Sequence, residues 1–356
     1  MHKISRYISG VVTASILLVL TVLMGLDSIA SMIDEMGELD GRYDFLAALK
    51  YVLFSMPGNL FELLPFAALV GCLAGLGTLA NNSELVVIRS AGITTLQIVW
   101  MVMRPALVIL FFGLVISEYI APSTESIAQS ERATALRKSE SVVSKEGLWH
   151  REGDQFMHFN VVQPNGVLYG VTIYTFDQER DLKTTLYAER AIYQQKQWLL
   201  EDVTESVFDQ HGGDEVGQNT YASRGWASEL SPSLLNILVL DPIDLPILEL
   251  WQYASYLSDQ GLNSDQYQLA FWEKVLQPLS TVSLVLVAIS FIFGPLREVT
   301  MGYRIFIGVL VGVVFRTAQD MLSPASMVYG FAPIYASLIP ILVCLAIGVV
   351  FLRRAH

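Results

Sequence analysis

The sequence is poor in cysteine, in charged residues and in positive charge. Its 356 residues include two cysteines, Cys72 and Cys344. Both lie inside apolar runs, which argues against a disulfide framework and a cysteine-based zinc site. Charged residues make up 16% of the chain and hydrophobic residues 53%, which is too apolar for an ordinary soluble protein. The net charge of -12 argues against nucleic acid as a ligand, since nucleic-acid binders carry a basic face. The composition predicts a polytopic membrane protein.

The short motifs of common catalytic sites are also missing. The chain has no Gly-x-x-x-x-Gly-Lys-Ser/Thr phosphate loop, no Gly-x-Ser-x-Gly nucleophile elbow and no His-Glu-x-x-His metal helix. Its five histidines are scattered, with no partnering cysteine, so we expect no metal site. We therefore predict that the chain is not an enzyme by itself.

Six apolar segments are each long enough to cross a bilayer. The first resembles a signal peptide, but it is long and lacks a small-residue cleavage site, so we interpret it as a retained span. The six helices fall into two groups of three. They are expected at about residues 11–33, 61–79, 95–118, 275–293, 305–322 and 333–352.

The positions of lysine and arginine predict the orientation, because cytoplasmic segments carry the positive excess. With the N-terminus inside, an even number of spans also returns the C-terminus to the cytoplasm. The residues that would then be cytoplasmic are Lys3, Arg6, Arg89, Arg297, Arg304, Arg353 and Arg354.

The segment between the third and fourth spans has the size of an independent domain. Residues 155–161, 166–176 and 185–193 alternate with period two, and turn signals occur at Pro164-Asn165-Gly166 and at His211-Gly212-Gly213-Asp214. This pattern predicts an all-β, jellyroll-like domain, a sandwich or an open barrel. Apolar alternation fits both a closed core and an open lipid-binding groove.

The predicted organisation has three parts. Residues 1–120 hold the first three spans, residues 121–267 the β domain on the outer side, and residues 268–356 the last three spans. Within the second part, residues 121–139 and 245–261 are expected to form helical connectors.

A short helix is predicted at residues 83–92, between the second and third spans. Asn82 or Ser83 could cap its start, Glu84 suits the positive end of its dipole, and Gly92 suits its stop. Because the chain has no energy-using motif, we expect a separate energy-using protein to act on it through this loop.

Charges and small residues inside the spans suggest helix contacts. Arg316 and Asp320 are four residues apart on one face and could form an intramembrane ion pair, which reduces the cost of burying charge. Glu62 and Arg104 are expected near interfaces. Gly71 and Gly75 have the Gly-x-x-x-Gly spacing that permits close helix contact, although this spacing is common by chance.

The motifs together resemble the LptF/LptG family, of the YjgP/YjgQ type, which supplies permease subunits to the lipopolysaccharide exporter of Gram-negative bacteria. The likeness covers nearly the whole chain and is stronger to the LptG branch than to the LptF branch. It is carried by Arg6-Tyr7-Ile8, Ser83-Glu84-Leu85-Val86-Val87, Gly147-Leu148-Trp149, Gln277-Pro278-Leu279, Ser290-Phe291-Ile292-Phe293-Gly294-Pro295-Leu296-Arg297 and Val328-Tyr329-Gly330.

The resemblance implies a complex in which this chain pairs with LptF. Two copies of the ATPase LptB would drive it with ATP and Mg²⁺, and the chain itself would hold no cofactor. Lipopolysaccharide would be extracted from the outer leaflet of the inner membrane and passed along β domains to LptC and LptA.

The resemblance also implies roles for individual residues. Glu84 would contact the ATPase, with apolar contacts from Leu85, Val86 and Ile88 and with Arg89 at the rim. Arg132 matches a basic position that contacts lipid A phosphates. Asp34 matches an acidic position of the family, and Lys50 could add positive charge. This chain departs from the family pattern after the first span, where lysines are replaced by an acidic run.

Two other functions fit the same features. One is a mechanotransmitting permease that acts on envelope proteins and moves no lipid itself. The other is a membrane scaffold or sensor without transport.

Overall fold

The computed structural model divides the chain into two compact units. One contains residues 1–30, 56–122 and 242–356, and the other contains residues 31–55 and 123–241. The structure describes residues 2–39, 43–137, 148–163, 166–177, 179, 181–194, 197–208, 216–228, 230–232, 235, 240–259, 263–294 and 299–354.

Nine α-helices and six strands are formed by the described residues. The helices are α1 (His2–Met36), α2 (Phe45–Asn81), α3 (Glu84–Ser90), α4 (Thr95–Tyr119), α5 (Ala121–Arg137), α6 (Ile247–Asp259), α7 (Asp265–Phe293), α8 (Met301–Tyr329) and α9 (Pro333–Arg354). A 3₁₀ turn at Pro242–Asp244 precedes α6. The strands are β1 (Leu148–Glu152), β2 (Gln155–Gln163), β3 (Val167–Phe176), β4 (Leu182–Gln194), β5 (Gln197–Phe208) and β6 (Val216–Trp226).

Within the described residues, six helices are long and apolar enough to cross a membrane: α1, α2, α4, α7, α8 and α9. The predicted two groups of three are therefore confirmed. Helix α2 is much longer than expected, because it begins at Phe45 rather than near residue 61 and continues through Pro57 and Pro65. Its 37 residues extend about 55 Å, well beyond a hydrocarbon core of about 30 Å.

Close contact between α1 and α2 depends on the two glycines of the Gly-x-x-x-Gly spacing. A Cβ atom at Gly71 would lie 2.6 Å from the Ile16 Cα, and one at Gly75 would lie 3.1 Å from the Ser15 Oγ. The two helices approach this closely because Gly71 has no side chain.

The second unit contains a sheet whose six described strands are all antiparallel and follow one another in chain order. The inserted β domain is thus confirmed, and its sequential order is simpler than the Greek-key order of a jelly roll. Its core includes Met157, Phe159 and Trp198, each at most 1% exposed. The Trp198 indole Nε1 donates to the Leu230 carbonyl at 2.8 Å, which ties the chain beyond β6 to the core.

Several predicted features fall outside the described residues. These are Arg297, the turn residues Pro164 and Asn165, the turn at residues 211–214, and the last residues of both predicted connectors. Inside the described part, helices α5 and α6 occupy the connector positions.

Candidate functional site

The short helix α3 joins α2 to α4 and has seven residues. The side-chain cap predicted at its start is not formed by Ser83. Ser83 has a left-handed backbone (φ 60°) and makes no side-chain cap, because a capping residue normally has an extended backbone. The Asn82 amide instead donates to the Glu84 carboxylate at 3.3 Å. The expected stop is present: Gly92 has φ +87° and its N–H donates to the Arg89 carbonyl at 3.0 Å.

Only part of the apolar surface expected to contact the ATPase is open on α3. Leu85 and Ile88 are only 5% and 8% exposed and belong to the core of the helical bundle. They are therefore unavailable to a partner groove, because their spacing of three residues places both on the inner face. Val86 and Val87, at 58% and 65% exposed, form the open apolar surface.

Two charged residues flank this open surface. Glu84 is half-buried at the first turn and Arg89 is exposed at the last turn. The Arg89 guanidinium lies 5.7 Å from the centre of the Phe293 ring, at the end of α7. Such a cation–π contact adds a modest attraction, so α3 is attached to α7 as well as to the bundle core.

Arg304 ties the last turn of α2 to the first turn of α8. It is 2% exposed, and its Nη1 donates to the Gly77 carbonyl at 3.0 Å and to the Asn81 Oδ1 at 2.9 Å. A Cβ at Gly77 would lie 3.4 Å from two atoms of Arg304. Asn81 is the final residue of α2, three positions before α3 begins. Sequence reasoning used Arg304 only as a sign of orientation and missed this contact.

A second polar cluster lies in the β-sheet unit, around Arg132 of α5. Its Nε donates to both carboxylate oxygens of Glu35 at 3.1 Å, and the Tyr43 hydroxyl donates to Glu35 Oε2 at 2.6 Å. The Arg132 guanidinium also lies 5.5 Å from the centre of the Tyr51 ring. The basic residue expected to contact phosphate is therefore held in place by a carboxylate and an aromatic ring.

The partner of Arg132 is not the acidic residue that the sequence suggested. Asp34 is exposed, whereas its neighbour Glu35 is buried and forms the ion pair. Burial opposes the charge of Arg132, but the hydrogen bond and attraction of Glu35 outweigh it and raise the pKa of Arg132. Burial and the same carboxylate raise the pKa of Tyr43. Arg132 thus stays charged and Tyr43 stays a donor at neutral pH.

Arg132 and Lys50 line one cavity of about 470 Å³. Tyr43, Tyr51 and Ser130 line it as well. The Arg132 side chain remains 25% exposed, so it can meet an anion that enters this space. The structure brings two of the expected lipid-contacting residues together and leaves Asp34 outside the lining residues of this cavity.

A third polar cluster lies within the spans. The Arg316 Nε is 3.1 Å from Asp320 Oδ1, the ion pair expected from their spacing, and its Nη2 is 3.1 Å from Glu62 Oε2 of α2. These residues line a cavity of about 570 Å³ together with Glu273 and Gln277. Sequence reasoning missed the partnership with Glu62, because residues 62 and 316 are far apart in the chain.

A buried lysine that sequence reasoning also missed fastens the start of α6 to the spans. Lys274 is 1% exposed and its Nζ donates to the Leu245 carbonyl at 2.7 Å. Two residues further on, the Ile247 N–H donates to the Glu118 carboxylate of α4 at 2.9 Å. The connector is thus anchored to both α4 and α7.

Among the residues that the structure describes, no group of three histidine, cysteine or acidic side chains could hold a metal ion. His150 and His158 lie in the sheet, and burial lowers the pKa of each.

Comparison with known proteins gives one consistent result. Residues 6–354 match the family described as lipopolysaccharide export system permease LptF/LptG. The chain is 36% identical to the lipopolysaccharide export system permease protein LptG of Escherichia coli strain K12, over 340 residues that cover 95% of this chain and 94% of that protein. It is 34% identical to the protein of the same name from Haemophilus influenzae, over 342 residues that cover 95% of each.

Proposed function

We propose a mechanism from one premise: this chain belongs to the LptF/LptG family of lipopolysaccharide export system permeases. It is a permease component of a lipopolysaccharide export system and a multi-pass protein of the inner membrane. In our proposal it forms a heterodimer with LptF, and a dimer of the ATPase LptB, which uses ATP and Mg²⁺, supplies the work.

The orientation that we propose places both termini and α3 in the cytoplasm and the β domain in the periplasm. Arg89 and Arg304 lie on the α3 side of the spans, as do Lys3 and Arg6, the basic residues of the first turns of α1. An excess of lysine and arginine favours the cytoplasmic side.

The observation that carries the coupling proposal is the division of α3 into an anchored face and an open face. LptB would bind the open surface formed by Val86 and Val87, with Glu84 and Arg89 at its edges. Because Leu85 and Ile88 are fixed in the bundle core, a displacement of α3 would be transmitted to the spans rather than absorbed by a loose loop. Arg304 would carry this displacement into α8.

Lipopolysaccharide would be held by its phosphates and its acyl chains. The planar donor fork of Arg132 suits a phosphate, and Lys50 adds positive charge in the same cavity. The acyl chains would then pass along an apolar face of the β domain towards LptC and LptA. Removing each methylene from the bilayer costs about 0.8 kcal/mol. Burial against the β domain offsets this loss, and the work of the ATPase drives the transfer.

The experiment that tests the coupling proposal changes the open face of α3. We expect Glu84→Ala and Val87→Glu to reduce the LptB that copurifies with the complex and to lower lipopolysaccharide release per ATP hydrolysed. Val87 is mostly exposed, so its substitution leaves the fold intact. Glu38→Ala, which removes an exposed charge beyond the other end of α1, is the control.

Normal LptB binding together with normal release in both α3 variants would reject this surface as the coupling site. Loss of release with Glu38→Ala as well would indicate a general effect of charge rather than coupling.

A further inference from the structure

Arg104 is a charged residue on the exposed surface of a span. It is the tenth residue of α4 and is exposed. Its guanidinium lies 5.3 Å from the centre of the Trp100 ring, and no described carboxylate lies within ion-pair distance of it. An unpaired charge at membrane depth is costly, and such residues mark functional sites.

The direction of the Arg104 side chain follows from helix geometry. About 14 Å of helix separate Arg104 from the start of α4, which is fixed by a capping box between Thr94 and Gln97. Side chains of a helix lean towards its N-terminus, so Arg104 extends over Trp100 towards the membrane surface on the α3 side. Arginine near a helix end commonly reaches the interface in this way, and tryptophan is enriched there.

Beside Arg104 lies a groove of about 580 Å³ between α4 and α1. The two helices meet at this level, where the Ser9 hydroxyl donates to the Met101 carbonyl at 2.8 Å. The groove is mainly apolar, with polar groups from Ser5 and Gln97 near its α3-side end. Its lining residues are Ser5, Leu96, Gln97, Val99, Trp100, Met101 and Arg104.

The exposed face of α4 continues beyond the groove towards the middle of the membrane. Val108 and Phe111 are 54% and 63% exposed, and they follow Arg104 at helical spacing on the same face. Polar and cationic groups therefore lie at one end of a strip that is otherwise apolar. This arrangement matches a membrane lipid, which has a polar head group at one end and apolar acyl chains at the other.

Among the lining residues of the groove, Arg104 carries the charge. Lys3 and Arg6 are exposed in the first turns of α1, and in the part of the chain that the structure describes neither forms an ion pair. Neither residue lines the groove, and Glu84 interacts with their neighbour Tyr7, so the cation that the groove itself presents is that of Arg104. Charge complementarity therefore calls for an anionic occupant.

We propose that the groove between α1 and α4 binds an acidic phospholipid of the leaflet that faces α3. The lipid phosphodiester accepts hydrogen bonds from Arg104, the glycerol and head group contact Gln97 and Ser5, and an acyl chain lies along Val108 and Phe111. In the proposed orientation this leaflet is the cytoplasmic one. The site is therefore distinct from the Arg132 cavity, and its ligand is not the exported glycolipid.

The test measures the phospholipid that remains bound to the full-length chain in its assembled complex. The complex is reconstituted in nanodiscs of equal phosphatidylglycerol and phosphatidylethanolamine, extracted in mild detergent and examined by native mass spectrometry. We expect the ratio of retained phosphatidylglycerol to phosphatidylethanolamine to fall about tenfold in Arg104→Gln, the loss of one strong charge-assisted contact. A smaller fall is expected in Arg104→Lys.

Arg151→Gln is the matched control. Arg151 is also an exposed arginine over an aromatic ring, at 5.2 Å from the centre of Phe156, but it lies in strand β1, outside the spans. Its substitution should leave the lipid ratio unchanged. Trp100→Leu offers a second variant if Arg104→Gln assembles poorly, and it should also lower the ratio.

A photoactivatable phosphatidylglycerol locates the site. Crosslinks to peptides of α4 and to the start of α1 that disappear in Arg104→Gln support the proposal. An unchanged lipid ratio in correctly assembled Arg104→Gln would overturn it. So would crosslinking that shows a partner subunit, rather than lipid, covering the groove. Because LptB binding and glycolipid release are not the readout, failure here leaves the coupling proposal standing.

Discussion

The most demanding prediction concerns Arg304, which links the last turn of α2 to the first turn of α8. We expect Arg304→Met to separate ATP hydrolysis from lipopolysaccharide release. Methionine keeps much of the apolar stem but cannot donate to the Gly77 carbonyl or the Asn81 side chain. LptB should still bind and hydrolyse ATP, because the open face of α3 is unchanged.

The expected size of the effect follows from these contacts. A hydrogen bond from a charged group contributes about 1.5–3 kcal/mol. The variant also removes the cost of burying the charged guanidinium, and this offsets part of the loss. A net weakening of the link between α2 and α8 by about 2 kcal/mol corresponds to about 30-fold in the ratio of attached to detached states. Lipopolysaccharide released per ATP should therefore fall severalfold or more. Arg304→Lys, which keeps one cationic donor, should fall less.

The assay records ATP hydrolysis and lipopolysaccharide release by the same reconstituted complex. Arg353→Met removes an exposed arginine from the last turn of α9 and serves as the control. Asn81→Leu removes one acceptor, and its effect should be less than additive with that of Arg304→Met, because both disrupt the same contact. Unchanged release per ATP in assembled Arg304→Met would refute the reasoning, and so would a parallel loss of hydrolysis and release that Arg304→Lys fails to rescue.

Three further predictions concern other parts of the molecule. Arg132→Glu should lower lipopolysaccharide retention about tenfold or more, because it replaces a hydrogen-bond donor to phosphate with a repelling charge beside Glu35. Retention equal to that of the unsubstituted protein at both low and high salt would remove Arg132 from the site. Gly71→Val should cost about 1–3 kcal/mol of stability by forcing α1 away from α2, whereas Gly10→Val, with open space around it, should cost much less in thermal unfolding. Burial lowers the pKa of His150 in the folded state, with Glu152 partly opposing it; stability should therefore be full above the unfolded value of about 6.5 and decline as the pH falls through it. His150→Gln should flatten that dependence, and an unchanged slope in unfolding measured at several pH values would contradict the assignment.

The sequence predicted the spans and the β domain well because each depends on a local pattern. A long apolar run must be a helix in a bilayer, and alternation along residues 166–176 matches β3 closely. The long N-terminal extension of α2 was not predictable in this way, because Pro57 argues locally against a continuous helix.

Which face of an element is buried was harder to predict. Residues 85–88 are all apolar, so composition cannot say which two of the four face the bundle. In the same way Asp34 and Glu35 have similar chemistry, but a helix turns about 100° between them, so that only one can meet Arg132. The sheet shows the same difficulty: Phe156 and Tyr187 are apolar but partly exposed, whereas Met157 is buried.

The contacts of α2 with α8 bear on how a displacement at α3 would spread. Arg304 joins these helices near α3, and Arg316 joins them again through Glu62. Twelve residues separate the two arginines along α8, a distance of about 18 Å. A pair of helices held at two such levels resists both sliding and splaying, since either movement would break a charge-assisted hydrogen bond. We therefore expect α2 and α8 to move as one body when α3 is displaced. If that is right, Glu62→Gln combined with Arg304→Met should lower lipopolysaccharide release per ATP by more than the product of the two separate effects, because only the double variant frees α8 at both levels.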